Sequence, residues 1–213
     1  MAIILTEQYR PTRVADFIGL DKVKEEMECL IADPVSSAWL FKGHSGSGKT
    51  SLAMAVCNEL DAELHLIPSQ TCTVDAVASI RQKTKHLPMF GKRFHLFLID
   101  EADSMSNAAQ DAFLSLLDST GRPTDTIIIF TCNDDDNLKP RFKSRCFCVD
   151  FTMHGYSNET TALLERVWNI EAPAGSDTPD FARIVKDAAK NVRTALNELE
   201  RKIKVARLRA SRV

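Results

Sequence analysis

Residues 43–50 read Gly-His-Ser-Gly-Ser-Gly-Lys-Thr, a full match to the phosphate-binding pattern G-x-x-x-x-G-K-[ST]. The segment Ala38–Lys42 before it is apolar enough for a buried strand, and Lys49–Leu60 after it has a helical pattern. A strand, a glycine-rich turn and a helix in that order demand an α/β fold. They also argue against an accidental Gly/Ser turn. Gly43, Gly46 and Gly48 let the chain turn tightly enough for successive backbone N–H groups to converge on phosphate oxygens. The helix that follows presents its positive end to the same anion. In this pattern Lys49 reaches the β- and γ-phosphates of ATP, and the Thr50 hydroxyl binds Mg²⁺. Ser47 and Ser51 complete the candidate nucleotide-contacting set.

A second segment supplies the other half of a hydrolytic site. Phe94-His-Leu-Phe-Leu-Ile runs into Asp100-Glu101-Ala-Asp103. A buried strand ending in Asp100 places a carboxylate at the sheet edge, where it can hold Mg²⁺ through water. Glu101 is then placed to orient and polarise the attacking water. Small-molecule kinases share the phosphate loop, but the Asp-Glu pair favours hydrolysis over transfer. A third apolar strand, Thr126–Thr131, leads to Asn133. An Asn at a strand end is commonly a turn former; here it is also a candidate for positioning water or sensing the γ-phosphate.

Strand candidates at Ala38–Lys42, Glu63–Ile67, Phe94–Ile99, Thr126–Thr131 and Phe147–Phe151 alternate with helical patterns at Lys22–Ile31, Lys49–Leu60, Val74–His86 and Asn107–Leu117. Beyond Phe151 no strand candidate remains. Helical stretches follow at Asn158–Trp168, Pro179–Lys190 and Val192–Leu208, the first two separated by the loop-forming Ala-Pro-Ala-Gly-Ser-Asp-Thr-Pro. The expected fold class is α/β: a parallel five-stranded sheet flanked by helices, then a small three-helix lid. The expected domains are 1–152 and 153–213, with the boundary near Thr152–Ser157.

Hydrophobic residues at 44% and charged residues at 26% of the 213 positions describe a soluble globular chain. No apolar run approaches the ~20 residues of a membrane span, and the opening Met-Ala-Ile-Ile-Leu-Thr-Glu is too short for a signal peptide. The sequence therefore predicts a cytoplasmic protein, or one of the host-cell cytoplasm if viral, with no membrane partner. The six cysteines and five histidines are scattered without zinc-ligand spacing, so buried or incidental thiols are expected. Net charge of −2 gives no sign of nucleic acid. The C-terminal stretch is basic, with Arg193, Arg201, Lys202, Lys204, Arg207, Arg209 and Arg212 against Glu198 and Glu200. Such a helix suits phosphates or a solvated face equally.

Together these segments resemble an AAA+ ATPase, and several resemble the DNA sliding-clamp loader family of replication-factor-C-like or phage type. Glu7-Gln-Tyr9-Arg10-Pro11 with Asp16-Phe17-Ile18-Gly19 is similar to the loader opening that borders the adenine pocket. Ala109-Gln110-Asp111-Ala112-Phe113-Leu114 is similar to the loader helix after the Asp-Glu-Ala-Asp box. Lys143-Ser144-Arg145-Cys146 matches the family's Ser-Arg-Cys motif, and Asn191-Val192-Arg193-Thr194-Ala195-Leu196-Asn197 resembles its second sensor.

The resemblance implies that Tyr9, Arg10 and Ile18 border the base. It makes Arg145 an arginine finger acting in trans on a neighbouring subunit's ATP, and Arg193 a γ-phosphate sensor in its own subunit. It implies ATP and Mg²⁺ as cofactors, with neighbouring AAA+ subunits, a sliding clamp and primer–template DNA as partners. Arg81, Lys83 and Lys85 are candidate contacts to the nucleic-acid backbone. Loader subunits carry a third, collar domain, and the resemblance here covers motor and lid without it. His44 and Ser45 stand where loaders commonly have paired prolines. The alternatives are another AAA+ DNA-remodelling ATPase (a branch-migration motor or a helicase loader) and a nucleotide-dependent assembly switch with little hydrolysis. Glu101 argues against the switch.

Overall fold

The computed structural model describes residues 4–118, 121, 123–152, 156–189 and 191–211. Its centre is a five-stranded, wholly parallel sheet: β1 (Ser37–Lys42), β2 (Glu63–Pro68), β3 (His95–Asp100), β4 (Thr126–Cys132) and β5 (Phe147–Asp150), in the order β2-β3-β4-β1-β5. Helices α1 (Leu5–Gln8) and α2 (Asp21–Ala32) precede β1. Helices α3 (Lys49–Glu59), α4 (Val74–Lys83), α5 (Asn107–Leu117) and α6 (Pro140–Lys143) make the crossovers. Parallel strands need such crossovers, which cover both faces of the sheet and require strands apolar on both sides. β4, Thr-Ile-Ile-Ile-Phe-Thr-Cys, is buried at every position.

The strand period of two divides the interior. Trp39, Phe41, Leu96, Leu98, Ile127 and Ile129 face one core with α2 and α3. Ala38, Leu40, Phe97, Ile99, Ile128 and Phe130 face the other with α4 and α5. On that second face Phe130 meets Phe113 and Phe142 edge-on, with ring centroids 5.0 and 4.9 Å away. Fully buried rings of this kind cost about 3–5 kcal/mol when cut to Ala.

The chain leaves β1, crosses to β2 at the far edge, returns through β3 and β4, and then places β5 on the other side of β1. Strand order thus reverses beside β1, and the crevice at the carboxyl ends of the strands there is where open α/β sheets bind ligands.

Three helices follow the sheet: α7 (Tyr156–Glu171), α8 (Phe181–Asp187) and α9 (Val192–Ala210). They share a third apolar cluster around Leu164, Trp168, Phe181, Ile184, Leu196 and Leu199. Leu5 of α1 is buried in that cluster, and its N–H donates to Glu200 of α9 at 3.0 Å. Val14 and Phe17, a few residues on, belong to the sheet core instead. Residues 5–17 therefore strap the helical cluster to the sheet, crossing the division expected at 152/153; residues 153–155 beside that division lie outside the described residues.

Element types follow the pattern read from sequence, and the differences are local. α4 stops at Lys83 rather than His86, because Lys85 and His86 bond three residues back, to the carbonyls of Gln82 and Lys83, instead of four. α8 spans Phe181–Asp187 rather than Pro179–Lys190: Asp180 caps its start, and Ala189 turns to φ 48° beyond its end, Lys190 lying outside the described residues. The four-residue α1 and α6 are too short to carry a periodic pattern; α6 opens with Pro140 in its first turn, where the missing N–H costs nothing. Among the described residues no helix is long and apolar enough to cross a membrane. Cys57, Cys72 and Cys132 are buried thiols that burial pushes up to about 11, 11 and 12, while Cys29 and Cys148 are exposed.

Candidate functional site

The glycine-rich turn joins β1 to α3 at the reversal of strand order. Gly48 is the cap of α3 in the left-handed region, at φ 98°. Gly46 is also left-handed, at φ 78°, and a Cβ there would stand 2.2 Å from the Asn191 carboxamide oxygen. Only glycine satisfies both conditions. Asn191 caps α9 by accepting the Thr194 N–H at 3.1 Å and donates from Nδ2 to the Ser45 carbonyl at 3.0 Å. One side chain thus fastens the last helix to the phosphate loop.

Lys49 is buried, and its ammonium donates to the carbonyls of Gly43 and His44 at 2.7 and 3.0 Å and to Asn133 Oδ1 at 3.2 Å. Burial lowers its pKa; Cys132, Asp100 and Asp103 oppose that shift, while the Arg193 cation adds to it. A buried ammonium held only by neutral oxygens is poised to exchange them for phosphate oxygens.

Across the crevice Asp100 ends β3 and accepts from Thr50 Oγ1 at 2.8 Å and from Thr131 Oγ1 at 2.5 Å. Thr131 Oγ1 in turn accepts the Glu101 N–H at 3.1 Å. That hydroxyl therefore joins β4 to both acidic residues. Glu101 itself lies at φ 59°, ψ 46°, a conformation costing a non-glycine residue ~1–2 kcal/mol, and its side chain is exposed in the crevice. Strain of this kind at a cleft residue points to a positioned functional group. Asp103 accepts the Asn133 N–H on Oδ2 at 3.2 Å, which holds the turn after β4.

Lys49, Thr50, Asp100, Glu101, Asn133 and Arg193 line one small cleft. Gly46, Gly48, Ser51 and Arg193 also line a larger one beside it, whose other walls include Tyr9, Arg10, Ile18 and Leu196. The expected phosphate residues and base-pocket residues thus form one continuous groove under α7 and α9. Ser47 lines the larger cleft, and its hydroxyl is buried with no hydrogen-bond partner. Such an orphan, in a glycine-rich turn at the N-terminus of α3, fits a nucleotide phosphate. The Thr50–Asp100 pair fits Mg²⁺, since hydroxyl, carboxylate and water are the oxygen donors that ion takes. Arg10 is held by Ser51 Oγ at 3.0 Å and Glu7 at 3.1 Å, and Tyr9 donates to Glu171 at 3.1 Å.

Arg145 stands apart from this groove. It lines neither cleft; its Nε pairs with Asp118 at 2.6 Å and its NH1 donates to the Arg141 carbonyl at 2.6 Å. The helix before it, α6, is tied back to β1 by Asp135, whose carboxylate meets Lys42 at 2.5 Å and Lys143 at 2.8 Å; these partners, Lys143 first, hold it down at about 2. Arg81 donates to Ser115 at 2.8 Å, while Lys83 and Lys85 are exposed. On α9 Lys202 and Arg201 pair with Glu198, Lys204 with Glu200 and Arg207 with Glu171, so much of the basic run is neutralised within the chain; Arg212 lies outside the described residues.

Thr131, Asp103, Asp135 and Asn191 were not singled out for these roles from sequence. Thr131, a hydroxyl at the end of an otherwise apolar buried strand, and Asn191, a cap residue ahead of a helix, carried a legible signal. The two aspartates did not.

Residues 39–152 match the family model described as ATPase family associated with various cellular activities (AAA). This chain belongs to that AAA ATPase family. It is also 29% identical over 210 residues to the replication factor C small subunit of Picrophilus torridus, across 94% of this chain and 64% of that protein. With the probable replication factor C subunit 2 of Dictyostelium discoideum it shares 28% over 204 residues, across 91% and 59%. The chain thus spans less than two thirds of the length of these relatives. Among solved structures, the RuvB Holliday junction branch migration motor of Thermotoga maritima aligns with TM-score 0.72 at 19% identity, over 91% of this chain and 64% of that one. That likeness establishes the fold.

Proposed function

We propose that this chain is the ATP-hydrolysing motor of a DNA sliding-clamp loader, with an ATPase domain at 1–152 and a lid at 153–213. The observation that carries the catalytic part is the convergence of Lys49, Thr50, Asp100, Glu101, Asn133 and Arg193 on one cleft. Similarity to replication factor C subunits over more than nine tenths of the chain supports the loader part. The branch-migration motor shares only the fold at its identity, which lends no support to that activity.

In this reading ATP lies along the groove with its base against Tyr9, Arg10 and Ile18 and its phosphates on the 43–51 turn. Lys49 exchanges its carbonyl partners for β- and γ-phosphate oxygens. Thr50 and Asp100 would hold Mg²⁺, which would offset charge on the phosphates. Glu101, held by its N–H on Thr131, accepts a proton from the water that attacks the γ-phosphorus, and ADP departs as the leaving group. Asn133, fixed by Lys49 and Asp103, orients that water. Arg193 contacts the γ-phosphate from the lid, so lid position follows the nucleotide. Arg145 acts on a neighbouring subunit's ATP, consistent with its distance from its own groove. The sliding clamp and primer–template DNA are the partners this cycle serves.

The test is Glu101→Gln, assayed for ATP binding and for turnover with and without primer–template DNA at low salt. Binding within about threefold of wild type and turnover down by ~10²-fold or more are expected. Unchanged turnover removes Glu101 from the mechanism. Wild-type turnover indifferent to primed DNA counts against the loader.

A further inference from the structure

Away from the nucleotide groove, at the β2 edge of the sheet, pairing of β2 with β3 sets Glu63 opposite His95 and places His65 two positions along on the same face. The sequence separates the two histidines by thirty positions, which is why they read as dispersed. In the structure His65 Nε2 and His95 Nδ1 are 3.0 Å apart. Glu63 brings Oε1 to 3.7 Å from His65 Nε2 and Oε2 to 3.5 Å from His95 Nδ1. Three donor atoms around a tetrahedral zinc ion, each ~2.0–2.1 Å from the metal, lie about 3.3 Å from one another. The 3.0 Å between His65 Nε2 and His95 Nδ1 is close to one edge of that tetrahedron, and the two oxygens of Glu63 stand 3.7 Å from the first and 3.5 Å from the second, near enough for the carboxylate to supply the third donor.

The outer contacts have the matching polarity. His95 Nε2 lies 2.9 Å from the His86 carbonyl, an atom that only accepts, so Nε2 carries the proton and Nδ1 turns its lone pair inward. A ligating histidine is commonly fixed in this way, by a backbone carbonyl on its other nitrogen. Glu63 Oε2 accepts the Met89 N–H at 2.7 Å, which anchors the carboxylate. The His65 ring stacks on Phe97 with centroids 4.5 Å apart. The side chains of His95, His65 and Glu63 are 5%, 10% and 19% exposed, so the cluster is shielded yet reachable from the Glu63 side. Burial is the main cause that lowers the His65 pKa, with Lys83 and His95 acting in the same sense and Glu63 against them.

We propose that Glu63, His65 and His95 form a zinc-class divalent metal site, with water completing the fourth position. Without the ion, the His65 Nε2 proton is shared with His95 Nδ1. On binding, His65 changes tautomer: its Nε2 proton leaves for solvent and its own Nδ1 takes one up from solvent, so that the lone pairs of His65 Nε2 and His95 Nδ1 both face the metal. The ion ties the edge strand β2 to β3 and, through His86 and Met89, to the segment between α4 and β3. The site is separate from the Mg²⁺ position and independent of the proposed loader activity.

The experiment is a Zn²⁺ competition titration of chelator-stripped full chain against a chromophoric chelator, with Co²⁺ absorption as a report of coordination geometry. It compares wild type with His65→Gln, Glu63→Gln and a Cys29→Ser/Cys148→Ser control. One Zn²⁺ per chain and tetrahedral Co²⁺ bands are expected, weakened at least tenfold in either cluster variant and retained in the cysteine control. Ring-nitrogen NMR of wild type needs no substitution: Zn²⁺ should shift the His65 and His95 signals and leave His44 unmoved. Absence of binding, binding that follows the cysteines, or His65 and His95 resonances unchanged at saturation would overturn the site.

Discussion

Replacing Thr131 with Val removes one hydroxyl and keeps the branched shape that suits a buried strand. Thr131 is 1% exposed, so the new methyl group takes the place of the hydroxyl without opening a cavity. Two interactions end with it: the donation to Asp100 at 2.5 Å and the acceptance of the Glu101 N–H at 3.1 Å. A hydrogen bond to a carboxylate contributes about 1.5–3 kcal/mol and a neutral one about 0.5–1.5. The crevice admits water, which replaces part of both, so a net destabilisation of about 1–3 kcal/mol is expected in urea denaturation. The effect on turnover should be larger. Glu101 holds its left-handed backbone against ~1–2 kcal/mol of strain, and the bond to Thr131 is its anchor. Each ~1.4 kcal/mol lost from the productive arrangement lowers the rate tenfold. We expect Thr131→Val to bind ATP within about threefold of wild type and to turn it over at least tenfold more slowly under conditions where wild type is active. Turnover within twofold of wild type, with unchanged stability, would refute the claim that this hydroxyl positions Glu101.

Two further substitutions probe the framework. Asp135→Asn should cost about 1–2 kcal/mol at pH 7 in urea denaturation. The native carboxyl sits at about 2 against 3.8 unperturbed, and with 22% of the side chain exposed, solvent screening trims the full value of the shift. Because the folded pKa is depressed, this stability is present above about pH 4 and fades as pH falls toward 2, so wild type and variant should converge there; a difference independent of pH would disprove the assignment. Gly46→Ala drives a Cβ against Asn191 and strains a left-handed residue, so its cost should drop to about 1–2 kcal/mol of strain alone when Asn191 is already Ala. Strictly additive losses in the double-mutant cycle would show that Asn191 does not latch α9 to the loop.

Much of this was legible because the informative residues sit next to elements with unmistakable patterns. The uninterrupted apolar run of β4 and the strand–glycine turn–helix around Lys49 locate the sheet and its phosphate end with few alternatives. Asp100 follows from its place at the end of such a strand. What stayed hidden depends on pairing across the sheet or between elements far apart in sequence. Nothing local to Asp135 says that it joins Lys42 to Lys143, and nothing local to His65 says that β2 lies against β3. The sequence expectation places residues 5–17 in the ATPase unit, yet Leu5 packs with the closing helices, since one buried Leu in a four-residue helix has no period to betray its partner. The ion pair of Arg145 with Asp118 likewise depends on where α5 ends relative to α6.

The central claim is that this groove hydrolyses ATP with Glu101 from its own chain and Arg145 from the next. Mixing Arg145→Ala chains with Glu101→Gln chains, each inactive alone, tests it most directly. Steady-state turnover is measured over a range of ratios, with primer–template DNA present and at concentrations where wild type is active. The account predicts that activity reappears in the mixture, because an Arg145→Ala groove keeps its Glu101 and receives a finger from a Glu101→Gln neighbour. No activity at any ratio, with wild type active beside it, would contradict an arginine finger supplied between subunits.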